Sequence, residues 1–161
     1  GAAEVRGVVA VDVVEGTALA SLEYMPQVLE EIPKTFQSMQ EAVEWHCRTG
    51  AMRNEGSAKL VVPSRFRPAV DDDGGPVTWR TKLGLSAEHW HGWFEGLSKD
   101  FLALPVPTML VVAGMDRLDT DLTAAHLQGR YQLKLVYGAG HSVQEDQPEE
   151  TAHAVLLFTQ R

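Results

Sequence analysis

A chain of 161 residues, 44% hydrophobic and 22% charged, is long enough for one domain with a real core and too apolar for disorder. With 22 Asp and Glu against 14 Lys and Arg, its formal net charge of −8 disfavours a nucleic-acid backbone as partner. Cys47 is the sole cysteine, so no intrachain disulfide forms and a reducing compartment is expected; no apolar run approaches the roughly 20 residues of a membrane helix.

The first residues, GAAEVRG, lack the basic-then-apolar order of a signal peptide. Residues 5–16, VRGVVAVDVVEG, read as a strand buried on both faces in a parallel sheet, with Asp12 near its carboxyl end. TALASLEYM, 17–25, reads as a short helix closed by Pro26. Residues 26–104 then differ in texture: they begin and end near prolines and contain Trp45, Trp79, Trp90 and Trp93. Within them, 38–50 carries a capping box, Ser38 with Glu41, and stops at Gly50. The stretch 67–77 reads as an exposed loop whose DDDGG is a solvated turn. Residues 86–97 place Trp90, Trp93, Phe94 and Leu97 at helical spacing, and the tryptophans are expected mainly to pack between cap helices and sheet, with lining of a substrate groove as the alternative. The whole of 26–104 is expected to be a helical cap insertion over the carboxyl edge of a sheet formed by 1–25 and 105–161.

A second strand is PTMLVVAGMD, 107–116, ending on Asp116, and a third is YQLKLVYGAGH, 131–141, ending on His141. Between them Asp119 or Asp121 caps a helix that Gly129 terminates. Pro148, Glu149 and Glu150 suit the start of a last helix, with Ala152, Val155, Leu156 and Thr159 expected on its sheet-facing side. Strands alternating with helices imply a parallel α/β sheet with right-handed crossovers.

Reactive groups of such sheets collect at the carboxyl ends of strands, which here present Asp12, Asp116 and His141. An acid before a histidine, each after a strand, is the tail of the α/β-hydrolase order Ser…Asp/Glu…His. His141 would serve as general base and then general acid, with a carboxylate fixing its tautomer. Spacing alone leaves Asp12 and Asp116 both open as that carboxylate. No G-x-S-x-G elbow occurs; Ser142 is too close to His141, and the other serines lack elbow glycines. The nucleophile is therefore expected upstream of Gly1. HWH, 89–91, puts two histidines on different sides of a helix, so no metal ligation is expected. DRLDTD, 116–121, lacks the glycine of a calcium loop and reads as helix capping.

The segments VDVVEGTALASL, KTFQSMQEAVEW, RNEGSAK, HWHGWFEGLS, VVAGMDRLDTDLT and GHSVQEDQPE together resemble the protein phosphatase methylesterase family. The resemblance covers the whole chain but only the carboxyl-terminal part of that family's α/β-hydrolase domain. It implies a serine esterase that removes the methyl ester from the carboxyl-terminal leucine of the protein phosphatase 2A catalytic subunit. It implies Asp12 and His141 as the catalytic acid and histidine, Asp116 as structural, and no cofactor or metal. That subunit would be the partner, with neither nucleic acid nor membrane, in the cytoplasm or nucleus. Two alternatives remain: another α/β-hydrolase esterase using Asp116, and a non-catalytic phosphatase-binding fragment. Without its serine the chain alone would be inactive.

Overall fold

The apolar run near the start forms β1 (Val8–Val11) in the computed structural model, which describes residues 4–69 and 75–160. Helices α1 (Glu15–Ser21) and α2 (Met25–Glu31) follow. Pro26 opens α2 instead of closing α1, because a proline in the first helical turn loses no hydrogen bond it could have made. Next come β2 (Thr35–Phe36), α3 (Met39–Arg48), α4 (Glu55–Val61), β3 (Phe66–Pro68) and β4 (Val77–Trp79). Ser38 caps α3 by accepting from the Glu41 N–H, while the Glu41 carboxylate takes the Gln37 N–H, and Gly50 leaves the helix at φ 72°. The DDDGG turn falls mostly outside the described residues.

The helix expected over 86–97 is divided. A 3-10 stretch (Leu83–His89) leads into α5 (Trp90–Phe94), and Gly96 at φ 83° separates it from α6 (Leu97–Ala103). Glycine is the residue that reaches this left-handed backbone without steric cost. The segment 26–104 is thus helical with an added three-stranded antiparallel sheet, β2–β4–β3, which the sequence pattern does not announce. Beneath that sheet Phe36, Phe66 and Trp79 meet Trp45 and the buried His46 at mostly edge-to-face or tilted angles.

The chain then returns through β5 (Thr108–Val112), α7 (Thr120–Leu127), β6 (Gln132–Leu135), α8 (Val143–Asp146) and α9 (Pro148–Thr159). The strands pair in parallel in the order β1–β5–β6, the α/β arrangement expected from the alternation of elements. Every residue of the central β5 is buried. Its alternate side chains serve opposite faces, as the period of two requires. Met109 and Val111 pack with Ala154 and Phe158 of α9, whereas Leu110 and Val112 pack with Leu122 and Ala125 of α7. Asp119 is the residue that caps α7.

The face of α9 is only in part the one expected: Val155 packs half-buried against the sheet. Thr151, Ala154 and Phe158 are buried, while Ala152 and Leu156 are exposed. Two contacts set this rotation: the Thr151 hydroxyl reaches Val143 O, and Phe158 lies so close to Gly7 that a Cβ there would sit 2.8 Å from its ring.

Candidate functional site

Three strand ends converge on one edge of the sheet, and two of their polar side chains meet. Asp12 follows β1 directly; its N–H still donates to Val111 O at 2.8 Å, so the residue is held by the ladder it is leaving. Its φ of 50° makes it the one non-glycine residue with positive φ among those described, a conformation aspartate tolerates better than most. Backbone held in such a region costs on the order of 1 kcal/mol or more and persists where surrounding structure imposes it. The carboxylate side chain is only 3% exposed, and its Oδ2 stands 2.6 Å from His141 Nδ1. Oδ1 is buried without a hydrogen-bond partner among the described residues.

His141 is reached from β6 by a loop with Gly138 at φ 83°. Its imidazole side chain is 80% exposed, so one ring nitrogen is held by a buried acid while the ring remains accessible. Its pKa lies above the ordinary histidine value. The hydrogen bond to Asp12 is the main cause, burial works against it, the Asp12 charge adds to it, and the Arg117 charge opposes it. Arg117 Nη1 lies 4.0 Å from Asp12 Oδ2.

Asp116 is not part of this pair. Its carboxylate turns back over Gly114, where Oδ1 fills the space an added Cβ would need, and Asp12 supplies the one carboxylate bonded to His141 among the described residues. Ser142 donates to Ala51 O and Ser21 to Ala18 O, so neither hydroxyl is bonded to the histidine.

A second carboxylate holds the histidine loop in place. Asp146, 5% exposed at the end of α8, accepts the Gly140 N–H at 2.7 Å and the Arg53 N–H at 2.6 Å. Arg53 in turn donates from Nη1 to Gly138 O and Ala139 O. Gly140 has no room for a side chain: a Cβ would lie 3.1 Å from Asp146 Oδ2 and 3.2 Å from Arg53 Nε. The loop carrying His141 is therefore clamped to residues 51–53, which precede it by about ninety positions. Glu15 and Asp119 perform a related task beneath the site. Glu15 accepts the Gly96 and Ser98 N–H groups at the start of α6, and Asp119 accepts the Ser98 hydroxyl at 2.6 Å. None of these partners is visible from sequence, although Asp146 stands in the same GHSVQED stretch as His141.

His141 and Asp12 open onto a cavity of about 510 Å3. Its walls are largely apolar, with Val14, Leu22 and Met25 on one side and Trp90, Trp93 and Phe94 on another. Trp93 is 57% exposed, and Trp90 donates its indole N–H to Ser86 Oγ. The four tryptophans therefore divide: Trp45 and Trp79 pack in the aromatic core, as mainly expected for all four, while Trp90 and Trp93 line the groove. Of the HWH histidines, His89 lies 3.6 Å from Glu88 and His91 lies 3.7 Å from Glu95. No helix among the described residues is long and apolar enough to cross a membrane.

An acid-oriented histidine at the edge of a parallel sheet, beside an apolar groove, can take a proton from a hydroxyl and return it to a leaving group. Residues 2–154 match the model of the alpha/beta hydrolase family. The chain is 41% identical over 158 residues to a Caenorhabditis elegans protein named probable protein phosphatase methylesterase 1, covering 98% of this chain and 43% of that protein. It is 43% identical over 155 residues to protein phosphatase methylesterase 1 of Schizosaccharomyces pombe, covering 96% and 45%. Among solved structures it resembles an esterase of M. tuberculosis at 27% identity and a TM-score of 0.69, covering 98% of this chain and 55% of that one. The chain spans less than half the length of the two methylesterases.

Proposed function

Because the chain belongs to the alpha/beta hydrolase family, we propose that it is the acid- and histidine-bearing part of a protein phosphatase methylesterase. The ester cleaved is the methyl ester on the carboxyl-terminal leucine of the protein phosphatase 2A catalytic subunit, in the cytoplasm or nucleus. The observation that carries this reading is the 2.6 Å contact between Asp12 Oδ2 and His141 Nδ1 at the mouth of an apolar cavity. The names of the relatives point to a phosphatase as substrate.

Asp12 accepts the Nδ1–H and so holds the tautomer in which Nε2 is free to accept a proton. His141 takes that proton from a serine hydroxyl that lies outside residues 1–161. The serine oxygen attacks the ester carbonyl and methanol departs with the proton from His141. Water, deprotonated by the same imidazole, then releases the leucine carboxylate and regenerates the serine. The apolar walls at Leu22, Met25 and Trp93 suit a leucine side chain. Residues 26–104 form the cap of this site, and the chain by itself does not hydrolyse esters.

The test is made in the serine-bearing protein with the methylated phosphatase subunit as substrate. Asp12→Asn should lower kcat on the order of 10⁴-fold, the scale seen when a triad acid is amidated. Asp116→Asn should lower it far less. The reverse ranking would refute the assignment and favour an esterase that uses Asp116.

A further inference from the structure

A second cavity, of about 390 Å3, adjoins the first, and its chemistry differs. Leu83 lines both, so the two cavities are neighbours on either side of that side chain. The floor of the second is apolar, from Leu29, Ile32 and Trp79, and three cations, Lys34, Arg67 and Lys82, stand around it. Among the described residues no Asp or Glu lines it, in a chain whose net charge is −8. Nor, among those residues, is any of the three cations ion-paired; Lys34 donates to Leu29 O. A cationic rim without ion-pair partners among the described residues, over an apolar floor on an acidic protein, is what an acidic peptide would complement.

Resting on the methylesterase reading, we propose that this cavity is a docking subsite for acidic residues of the substrate protein, upstream of its esterified carboxyl terminus. The separation fits. Met25 lines the first cavity and Ile32 the second, which amounts to about 10 Å of helix at 1.5 Å per residue. An extended peptide covers that distance in about three residues. With the terminal leucine beside His141, Asp or Glu side chains three to six residues back reach Arg67 and Lys82, while an apolar neighbour settles on Trp79.

The test uses two fluorescein-labelled decapeptides ending in leucine methyl ester. One carries Glu at the third to sixth positions before the terminus and the other carries Gln there. Anisotropy with the serine-bearing protein, its nucleophile replaced by alanine so that the ester persists, should show at low ionic strength about tenfold tighter binding of the Glu peptide, a preference that raised salt removes. In R67E/K82E the preference should vanish or invert while the Gln peptide binds as before. Both substitutions are at exposed positions, and the milder Lys82→Gln should weaken the preference partway. Equal binding of both peptides by the protein that keeps Arg67 and Lys82, or a preference that survives in R67E/K82E, overturns the subsite while leaving the ester site standing. If neither peptide binds at millimolar concentration, the methylesterase reading fails and the subsite with it.

Discussion

The parallel sheet and the segment inserted between β1 and β5 achieve burial by different means, and each holds a histidine differently. The sheet is aliphatic: Met109, Leu110, Val111 and Val112 occupy both faces of one strand, each at most 3% exposed. The inserted segment is aromatic, with Phe66 and Trp79 ring centroids 4.3 Å apart and Phe36 edge-on to Phe66. In the segment, His46 is 1% exposed, bonded to a backbone carbonyl, and burial pushes its pKa down. In the sheet region, His141 is open to the groove and an acid holds its pKa up. One environment makes a histidine a packing residue and the other leaves its ring open to exchange a proton. The same side chain reads as structure or chemistry according to whether its partner is a carbonyl or a carboxylate.

The strongest way to break this contrast is to ask whether the two regions are independent. Phe66→Ala removes the ring at the centre of the aromatic cluster and should cost about 3–5 kcal/mol by denaturant unfolding. Because Asp146 ties the regions together, we expect one transition seen alike by the Trp79 indole N–H, which is bonded to Pro33 O, and by the His141 ring. Separate midpoints at the two probes would mean that the segment folds on its own and the tie is slack.

Asp146→Ala attacks that tie itself. It leaves the Gly140 and Arg53 N–H groups without their acceptor, and each orphaned buried donor costs about 1–3 kcal/mol. The expected loss is about 2–4 kcal/mol, accompanied by broadening of the His141 ring resonances as its loop loosens. A loss of similar size with the His141 signals unchanged would show that Asp146 supports packing alone. A smaller effect belongs to the segment by itself: Ser38→Ala should cost about 1 kcal/mol and Ser38→Gly only a few tenths, with the His141 titration untouched by either.

What is legible in the sequence follows the same divide. The central strand is legible because burial on both faces writes an unbroken apolar run, β1 because its four residues are all apolar, and β6 because Leu133 and Leu135 alternate with polar residues; the Asp12–His141 pair is legible because each member follows such a strand. The small sheet of the segment is not, since β2 spans two residues and β3 and β4 three each, too few for alternation to register. Trp90 and Trp93 read as core because helical spacing records only that side chains share a face, not what the face meets. Here Gly96 breaks the helix and the face meets the groove. The Asp146 clamp is hidden because its partner Arg53 is 93 positions away and the bond is to a backbone N–H, which carries no residue signature. The buried face of α9 departs in part from the expected one because Phe158 follows the space over Gly7, a feature of tertiary contact.

The finest distinction between the regions lies in pH, because the two histidines act on opposite sides of the ordinary value near 6.5. The folded state lowers the pKa of His46, so it binds that proton less well than the unfolded chain does. Its linkage therefore adds stability with rising pH below 6.5, and stability falls as acid drives the pH toward the folded value. The folded state raises the pKa of His141, so that contribution is fully present below 6.5 and is lost as pH rises through the folded value. Because the His141 ring is largely exposed, solvent screening keeps its share below that of the Ser38 cap. Thermal unfolding followed from about pH 5 to 8.5 should thus show, from these two groups, a maximum close to 6.5. Asp12→Asn should flatten the alkaline side and bring the His141 titration, followed by ring proton shifts, down from its raised value. Arg117→Gln should move that titration further up, since the guanidinium opposes the imidazolium. If Asp12→Asn leaves the His141 titration where it was, the carboxylate is not its partner in solution, and the sheet region loses the feature that separates it from the segment.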